Sequence, residues 1–403
     1  MTMTPVQSLG ETRAAWLLAG VEFFFALSWV VYVIFLPELL ARGGIEKRYL
    51  PWLVAADQLV FAFADWSMGV AVDRARSALR RIGPMLVTLS AVSALAMLLL
   101  PWLAPMPLLF LLATGVWVAT SSALRAPPYV LLSRYAGRAT LPRLAGIQLL
   151  GLALASALAP YLAITIKGVD PALPFLLSAL AVAGSALALV YVERRLPAAA
   201  APPAAGPAAQ QGTGGGAKSA ESAKSTWAFL LVLALLLGFG QQVHSLINSV
   251  PQFKRLADPA LLPWLLPVFW IGFSFGLLGV GRVVRTRGAL QVLRMACAFG
   301  ALALAGAALA VSLAALLLSQ FVAGVFWAFI LCASIALAGE RGAPLHTGRN
   351  TGALMATLAV ATFSRIGLSA SGGAAAAGVL VLDWLPVLLW CAVAVFLRRA
   401  RPT

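Results

Sequence analysis

Seven titratable side chains lie within long apolar stretches of this sequence, where a charge is costly enough to imply a function. They are Glu22, Asp57, Asp65, Arg125, His244, Arg365 and Asp383. Glu22, Asp65 and Arg125 lie at similar depths, roughly 9 to 12 Å from the same membrane face at a helical rise of about 1.5 Å per residue. An arginine beside two carboxylates can hold one ionised while the other binds a proton. These three residues are therefore a candidate proton-coupling site, with a structural ion triad that fixes packing as the alternative.

A polar stripe interrupts the apolar stretch around His244. Gln241, Ser245 and Asn248 follow at positions i, i+4 and i+7, which places them on one face of a helix. Such a stripe is disfavoured against lipid. These residues and His244 are therefore expected to face other helices or a polar cavity, and interhelical hydrogen bonding is one possible role. His244 has no second ligand at metal-binding spacing, so no metal site is predicted.

The remaining buried charges predict other roles. Asp57 lies towards the opposite membrane face and is expected to contact substrate at the mouth of a cavity. Arg365 and Asp383, each about 9 Å from that face, flank the turn between two helices and predict a structural ion pair. Trp29 and its aromatic neighbours surround Glu22, which suits an amphipathic or cationic organic substrate; lipid-facing aromatics are the alternative.

Twelve apolar stretches, most close to the roughly 20 residues that a spanning helix needs, must position these side chains. They cover residues 14–40, 51–71, 84–104, 107–131, 144–166, 173–192, 227–249, 261–281, 295–311, 314–338, 351–371 and 377–397. Of the 403 residues, 62% are hydrophobic and 10% charged, whereas soluble domains carry roughly 25% charged residues. The sequence therefore predicts an all-α membrane protein with twelve transmembrane helices.

The basic residues indicate how the helices are oriented. Of 29 lysines and arginines, 21 fall on the side of both termini and 6 on the opposite side, with two inside helices. Positive residues concentrate on the cytoplasmic side, so both termini are predicted to be cytoplasmic, in the inner membrane of a bacterium. Because the basic residues lie in short connections rather than on one exposed face, the net charge of +16 does not indicate nucleic-acid binding.

A hydrophilic segment divides the chain in the middle. Residues 193–226 are rich in Ala, Pro, Gly, Ser and Gln, which predicts a flexible cytoplasmic linker. The linker separates an N-terminal six-helix bundle, residues 1–192, from a C-terminal one, residues 227–403. Two six-helix halves are typical of transporters whose binding site lies between the halves.

The connection after the second stretch reads Gly69-Val-Ala-Val-Asp73-Arg74, followed later by the basic pair Arg80-Arg81. This pattern resembles the signature loop of the major facilitator superfamily, although the basic pair comes later than is usual there and lacks its preceding glycine. These five residues predict a gate. Gly69 would permit close helix approach, Asp73 would accept hydrogen bonds from a neighbouring helix end, and the arginines would pair with Asp73 or anchor at headgroups. The alternative is that the arginines only set the topology.

The resemblance implies two six-helix bundles around a central cavity and a transport function. In this superfamily the seventh helix lines the cavity, so the resemblance implies substrate contact by Gln241, His244, Ser245 and Asn248. We expect a secondary active transporter that moves a small organic solute by alternating access, coupled to protons. It would act as a monomer in the lipid bilayer, without a cofactor. The alternative is a non-transporting membrane scaffold or assembly factor on the same fold. An enzyme is not expected, because the sequence has no phosphate-binding loop, metal-ligand cluster or nucleophile elbow.

Overall fold

The computed structural model describes residues 5–74, 79–135, 140–195, 216–342 and 346–399, and this part of the chain is helical, without strands. Twelve long helices follow one another and are numbered here in chain order. They are α1 (Pro5–Arg42), α2 (Leu50–Arg74), α3 (Leu79–Leu103), α4 (Pro107–Tyr135), α5 (Leu141–Thr165), α6 (Ala172–Arg195), α7 (Gly216–Val243, continued by His244–Asn248 and Ser249–Lys254), α8 (Pro267–Arg287), α9 (Ala289–Ala308), α10 (Leu313–Gly342), α11 (Thr347–Ala370) and α12 (Gly373–Arg399).

The helices have the length and composition of membrane spans. Among the described residues, ten are long and apolar enough to cross a bilayer, and α3 and α4 contribute the shorter apolar stretches Val87–Leu103 and Pro107–Ser121. An even number of spans places both termini on one side of the molecule, called here the termini side. The predicted count of twelve helices is confirmed.

Some helices end or break at positions that amino-acid composition alone did not predict. The expected linker 193–226 is too long, because α6 runs to Arg195 and α7 begins at Gly216. The first residues of α7 are too polar for a span, but they include Ala, Lys and Glu, which favour a helix. Residues 196–215 lie outside the described part of the chain. In α12 the helix is broken at Gly378, whose φ of 76° favours glycine.

The helices pack as two six-helix bundles that meet along two seams. In the first bundle α1 packs on α5 and α6, and α3 packs on α4 and α6. In the second, α8 and α9 pack on α10, and α7 packs on α11 and α12. The bundles contact each other mainly through α2 against α11 and through α5 against α8. These two pairs are called here the α2–α11 seam and the α5–α8 seam.

Glycine sets the close approach at the α5–α8 seam. Gly281 lies against the backbone of Arg143, where an added Cβ would stand 2.7 Å from the Arg143 Cα. Since real side chains do not tolerate such a distance, only glycine fits. Both residues belong to the termini side, so the bundles are in contact there.

Candidate substrate cavity and gate

A cavity of about 270 Å³ lies between the two bundles, bounded by residues of α1, α2, α4, α5, α7, α8, α10 and α11. Its polar and charged lining consists of Glu22, Gln58, Arg125, Tyr129, Ser156, Gln241, Gln242 and Thr362. Its aromatic lining consists of Phe25, Trp29, Phe61, Trp270 and Trp327. The cavity is therefore an apolar chamber with a few polar groups, the usual composition of a small-molecule site.

The predicted layer of Glu22, Asp65 and Arg125 is brought together at this cavity. Arg125 Nη2 lies 2.9 Å from Asp65 Oδ2, an ion pair in which Asp65 is fully buried. The Arg125 guanidinium also lies over the Phe61 ring, 5.0 Å from its centroid, a favourable cation–π position. Arg125 therefore links α4 to α2 and turns towards Asp65 rather than Glu22.

Glu22 is the carboxylate of the layer that faces the cavity. It is 5% exposed, and Tyr129 on α4 is its hydrogen-bond partner. Its Oε2 atom is buried and finds no hydrogen-bond partner within the described residues. An ionised carboxylate in this position is short of compensation, because a buried charge needs several partners.

Trp29 belongs to a cluster of rings at one end of the cavity. Its ring is stacked on Trp117 at 5.8 Å between centroids, with 13° between the ring planes. Phe61 meets Trp29 edge to face at 5.1 Å. Trp29 and Phe61 line the cavity, whereas Trp117 does not. Substrate contact by Trp29 stays a prediction.

Asp57 does not line the cavity. Its side chain is buried, and the Tyr32 hydroxyl donates to its Oδ2 at 3.2 Å, which joins α2 to α1. The expected substrate contact by Asp57 is therefore wrong for this structure. Gln58, the next residue along α2, lines the cavity instead, because successive helical residues point about 100° apart.

The predicted polar face of α7 is divided by a π-helical turn. The turn covers His244–Asn248 and breaks the 3.6-residue period on which the i, i+4, i+7 pattern depends. Gln241 lines the cavity and donates to Ser245 Oγ at 3.1 Å. Asn248 donates to the Leu382 carbonyl at 2.6 Å instead. Substrate contact by His244, Ser245 and Asn248 is therefore corrected to hydrogen bonding between and within helices.

His244 begins a chain of hydrogen bonds inside the second bundle. Its Nε2 lies 2.9 Å from Gln320 Oε1, and Gln320 Nε2 donates to Gln252 Oε1 at 3.1 Å. Gln252 Nε2 then donates to Asp383 Oδ1 at 2.8 Å. Asp383 also pairs with Arg255, whose Nη1 lies 3.6 Å from Asp383 Oδ2. The chain ties α7 to α10 and α12 and ends at a half-exposed arginine.

The predicted ion pair between Arg365 and Asp383 is therefore wrong. Asp383 is satisfied by Gln252, on the last segment of α7, and by Arg255, the residue that follows the end of that segment. Arg365 Nε is buried without a hydrogen-bond partner in the described part of the chain. The sequence missed the true partners because the predicted seventh span ended at residue 249, whereas α7 continues to Lys254.

Asp73 joins the bundles at the termini side. Its carboxylate accepts hydrogen bonds from the backbone N–H groups of Gly348 at 2.9 Å and Arg349 at 2.8 Å. These N–H groups belong to the first turn of α11, where they lack partners in the helix and carry partial positive charge. One turn earlier on α2, Gly69 lies against Gly348 and Gly352, where a Cβ would collide with the Gly348 carbonyl oxygen.

The arginines of the predicted gate take no part in this contact as far as the structure describes them. Arg74 is exposed, and none of the ion pairs between described residues joins it to Asp73. Arg80 and Arg81 lie in the first turn of α3, and their side chains lie outside what the structure describes.

Several cavity residues were not found from the sequence. Tyr129, Trp270 and Trp327 line the cavity, but other aromatic residues occur in the same apolar helices, and no pattern distinguishes those that face the cavity. Gln58 and Gln242 are polar residues within spans, which is a usable signal. Each stands next to a residue that the sequence analysis selected.

Comparison with known families and structures gives consistent matches. The model of the Major Facilitator Superfamily matches residues 18–364. The human organic anion transporter MFSD10 (TETRAN) has a TM-score of 0.73 at 13% identity, covering 98% of this chain and 100% of that one. The E. coli fucose:proton symporter FucP has a TM-score of 0.69 at 12% identity, covering 96% and 98%.

A third similar structure is a bacterial homologue of the iron transporter ferroportin in an outward-facing state with soaked iron. Its TM-score is 0.69 at 15% identity, and it covers 96% of this chain and 98% of that chain. Comparison with curated protein sequences gives no match. At such identities the structural likeness concerns the fold, whereas the family model covers most of the chain. The chain therefore belongs to the Major Facilitator Superfamily, and it is a multi-pass membrane transporter of small molecules rather than an enzyme.

Proposed function

We propose that this protein is a secondary active transporter that moves a small organic solute by alternating access, coupled to protons. The observation that carries the proposal is the Glu22 carboxylate, buried at the central cavity with Oε2 unpartnered among the described residues. Such a group is stable when it is protonated or when a bound cation compensates it. Glu22 is therefore suited to exchange a proton for substrate or for a change of conformation.

The charges at the cavity support this role. Arg125 is compensated by Asp65 at 2.9 Å, so it is not available to neutralise Glu22 fully. With both carboxylates ionised, the three side chains carry one net negative charge. A proton or a positively charged group of the solute would restore neutrality.

Cavity size and lining support a small amphipathic solute. The volume of about 270 Å³ lies near the lower end of the roughly 300–1,000 Å³ of small-molecule pockets. Trp29, Trp270 and Trp327 offer aromatic faces, which attract cationic groups. Gln58 and Gln241 offer amide groups that can orient a polar group of the solute.

Alternating access is supported by the seams. The Asp73 contact and the close approach at Gly69 and Gly281 all lie on the termini side. They hold the bundles together at that face, and the cavity can open to that face when they separate. Since one chain encloses the whole cavity, we propose a monomer as the transporting unit.

We further propose that the termini face the cytoplasm of a bacterium, with the chain in the inner membrane. The support is the charge asymmetry of 21 against 6 basic residues. In a background without Cys297, Cys332 and Cys391, Ser219→Cys is expected to resist a membrane-impermeant maleimide in intact cells, and Ala257→Cys to react with it. The reverse labelling pattern would contradict the orientation.

Uptake by purified protein in liposomes tests the function. A panel of organic amines, sugars and carboxylates would be offered with and without a pH gradient. We expect accumulation of at least one solute that stops when a protonophore dissipates the gradient. Accumulation that is unchanged when the protonophore is added would contradict proton coupling. Fluxes equal to those of empty liposomes for every solute would favour the alternative of a membrane scaffold or assembly factor.

A further inference from the structure

A second cavity, separate from the central one, opens on the termini side of the second bundle. Its volume is about 990 Å³, and it lies between the ends of α8, α9, α10 and α12. Its charged lining consists of four arginines and one carboxylate, namely Arg287, Arg294, Arg341, Arg398 and Glu340. The cavity therefore has a formal charge of +3 and favours an anion.

The basic charge of this cavity exceeds what its single carboxylate, Glu340, can neutralise. Among the described residues, no ion pair joins Glu340 to Arg287, Arg341 or Arg398. Arginines that only set topology need to be on the correct side of the membrane, but they need not converge on one concavity. The planar guanidinium group matches the oxygen atoms of a phosphate with two parallel hydrogen bonds.

The walls of the cavity are apolar and reach into the membrane. Met295 and Phe299 on α9 line it and are 38% and 48% exposed. Phe299 comes ten residues after Ala289, the first residue of α9, which is about 15 Å along the helix. A soluble anion would use only the basic rim, whereas a lipid would use the rim and this wall together.

We propose that this cavity binds an anionic phospholipid of the surrounding leaflet. The phosphate lies among the arginines, and the acyl chains lie along Met295 and Phe299. Basic pockets between spanning helices at the membrane surface suit such headgroups. The site shares no lining residue with the central cavity. The proposal of a lipid site therefore does not depend on the proposed transport function.

The test measures binding of phosphatidylglycerol to delipidated protein in detergent by native mass spectrometry. Diacylglycerol, which lacks the phosphate, and glycerol 3-phosphate, which lacks the acyl chains, serve as probes of each part alone. The variant Arg287→Gln/Arg398→Gln is expected to bind phosphatidylglycerol at least about tenfold more weakly, because it removes two charge-assisted contacts. Both side chains are exposed, so the fold should survive, which the melting temperature without lipid would verify.

A matched control removes the same charge nearby. Arg282 and Arg285 are exposed residues of α8 that do not line the cavity. Arg282→Gln/Arg285→Gln is expected to change binding by less than about twofold, as for charges screened at a distance. An equal loss in both double variants would overturn the proposal, because binding would then follow the overall surface charge.

A third variant should change binding in the opposite direction. Glu340→Gln removes the carboxylate of the cavity and is expected to strengthen phosphatidylglycerol binding by about two- to fivefold. Misfolding cannot produce such a gain. Unchanged or weaker binding by Glu340→Gln would overturn the proposal. So would equal binding of diacylglycerol, which would indicate a groove for acyl chains, or equal binding of glycerol 3-phosphate, which would indicate a soluble anion.

Discussion

Glu22→Gln will abolish solute accumulation driven by a pH gradient and leave energy-independent exchange of solute intact. Glutamine has the shape of the protonated carboxyl and cannot release a proton, so the cavity stays in its neutral form. The measurement compares gradient-driven uptake with exchange in the same proteoliposomes. We expect accumulation to fall to the level of equilibration, while exchange stays within about twofold of the unmodified protein.

Two further variants are compared with Glu22→Gln. Glu38→Gln makes the same change on the same helix at an exposed ion pair with Arg42, and it should leave accumulation unchanged. Arg125→Ala should remove both accumulation and exchange, because it leaves the buried carboxylate of Asp65 without its partner. Removing one partner of a comparable buried ion pair destabilises a protein by roughly 3–5 kcal/mol. Full gradient-driven accumulation in Glu22→Gln would move the proton site elsewhere, with Asp65 next to be tested, or make the protein a uniporter.

Asp73→Asn will weaken the contact between the bundles at the termini side and impair transport. The amide keeps the size of the carboxylate but loses the charge that faces the first turn of α11, and it presents one acceptor oxygen in place of two. Losing about 1.4 kcal/mol of this contact shifts the equilibrium between closed and open states tenfold. Transport is expected to fall, and Thr362→Cys in the cavity should react faster with maleimide added from the termini side.

Asp170→Asn is the matched control for this gate variant. Asp170 accepts from the Ala172 N–H at 3.0 Å at the start of α6, so it caps a helix as Asp73 does but within one bundle. It should leave the reactivity of Thr362→Cys unchanged. If Asp73→Asn transports normally in liposomes, the loop after α2 would be a topology signal and not a gate.

The depth of the buried charges could be predicted from the sequence, but their partners could not. The rise of a helix is fixed, so counting residues placed Glu22, Asp65 and Arg125 in one layer, and the structure brings them together. The choice of Asp65 by Arg125 depends on how α2 and α4 are rotated. A span without clearly separate polar and apolar faces gives little information on that rotation. The mistaken position of Asp57 has the same cause.

The second bundle was harder to predict because its backbone departs from regular geometry. The π-helical turn at His244–Asn248 changes which face Asn248 occupies, and no residue type in that segment requires such a turn. Two partners of Asp383 come from beyond the expected end of the span: Gln252 in the segment Ser249–Lys254, and Arg255 directly after it. By contrast, Asp73 was correctly expected to accept hydrogen bonds from a neighbouring helix end, because the first N–H groups of a helix have no partners within it.

Three contacts of α2 lie within one short segment of the helix. Asp65, Gly69 and Asp73 are spaced by four residues, about 6 Å each, and at Gly69 the backbone of α2 presses directly on that of α11. The segment can therefore act as a lever with its fulcrum at Gly69 and two equal arms. A tilt of about 10° about Gly69 would move each end by about 1 Å in opposite directions. The contact at Asp73 would then break, and the ion pair between Asp65 and Arg125 would lengthen, in the same movement.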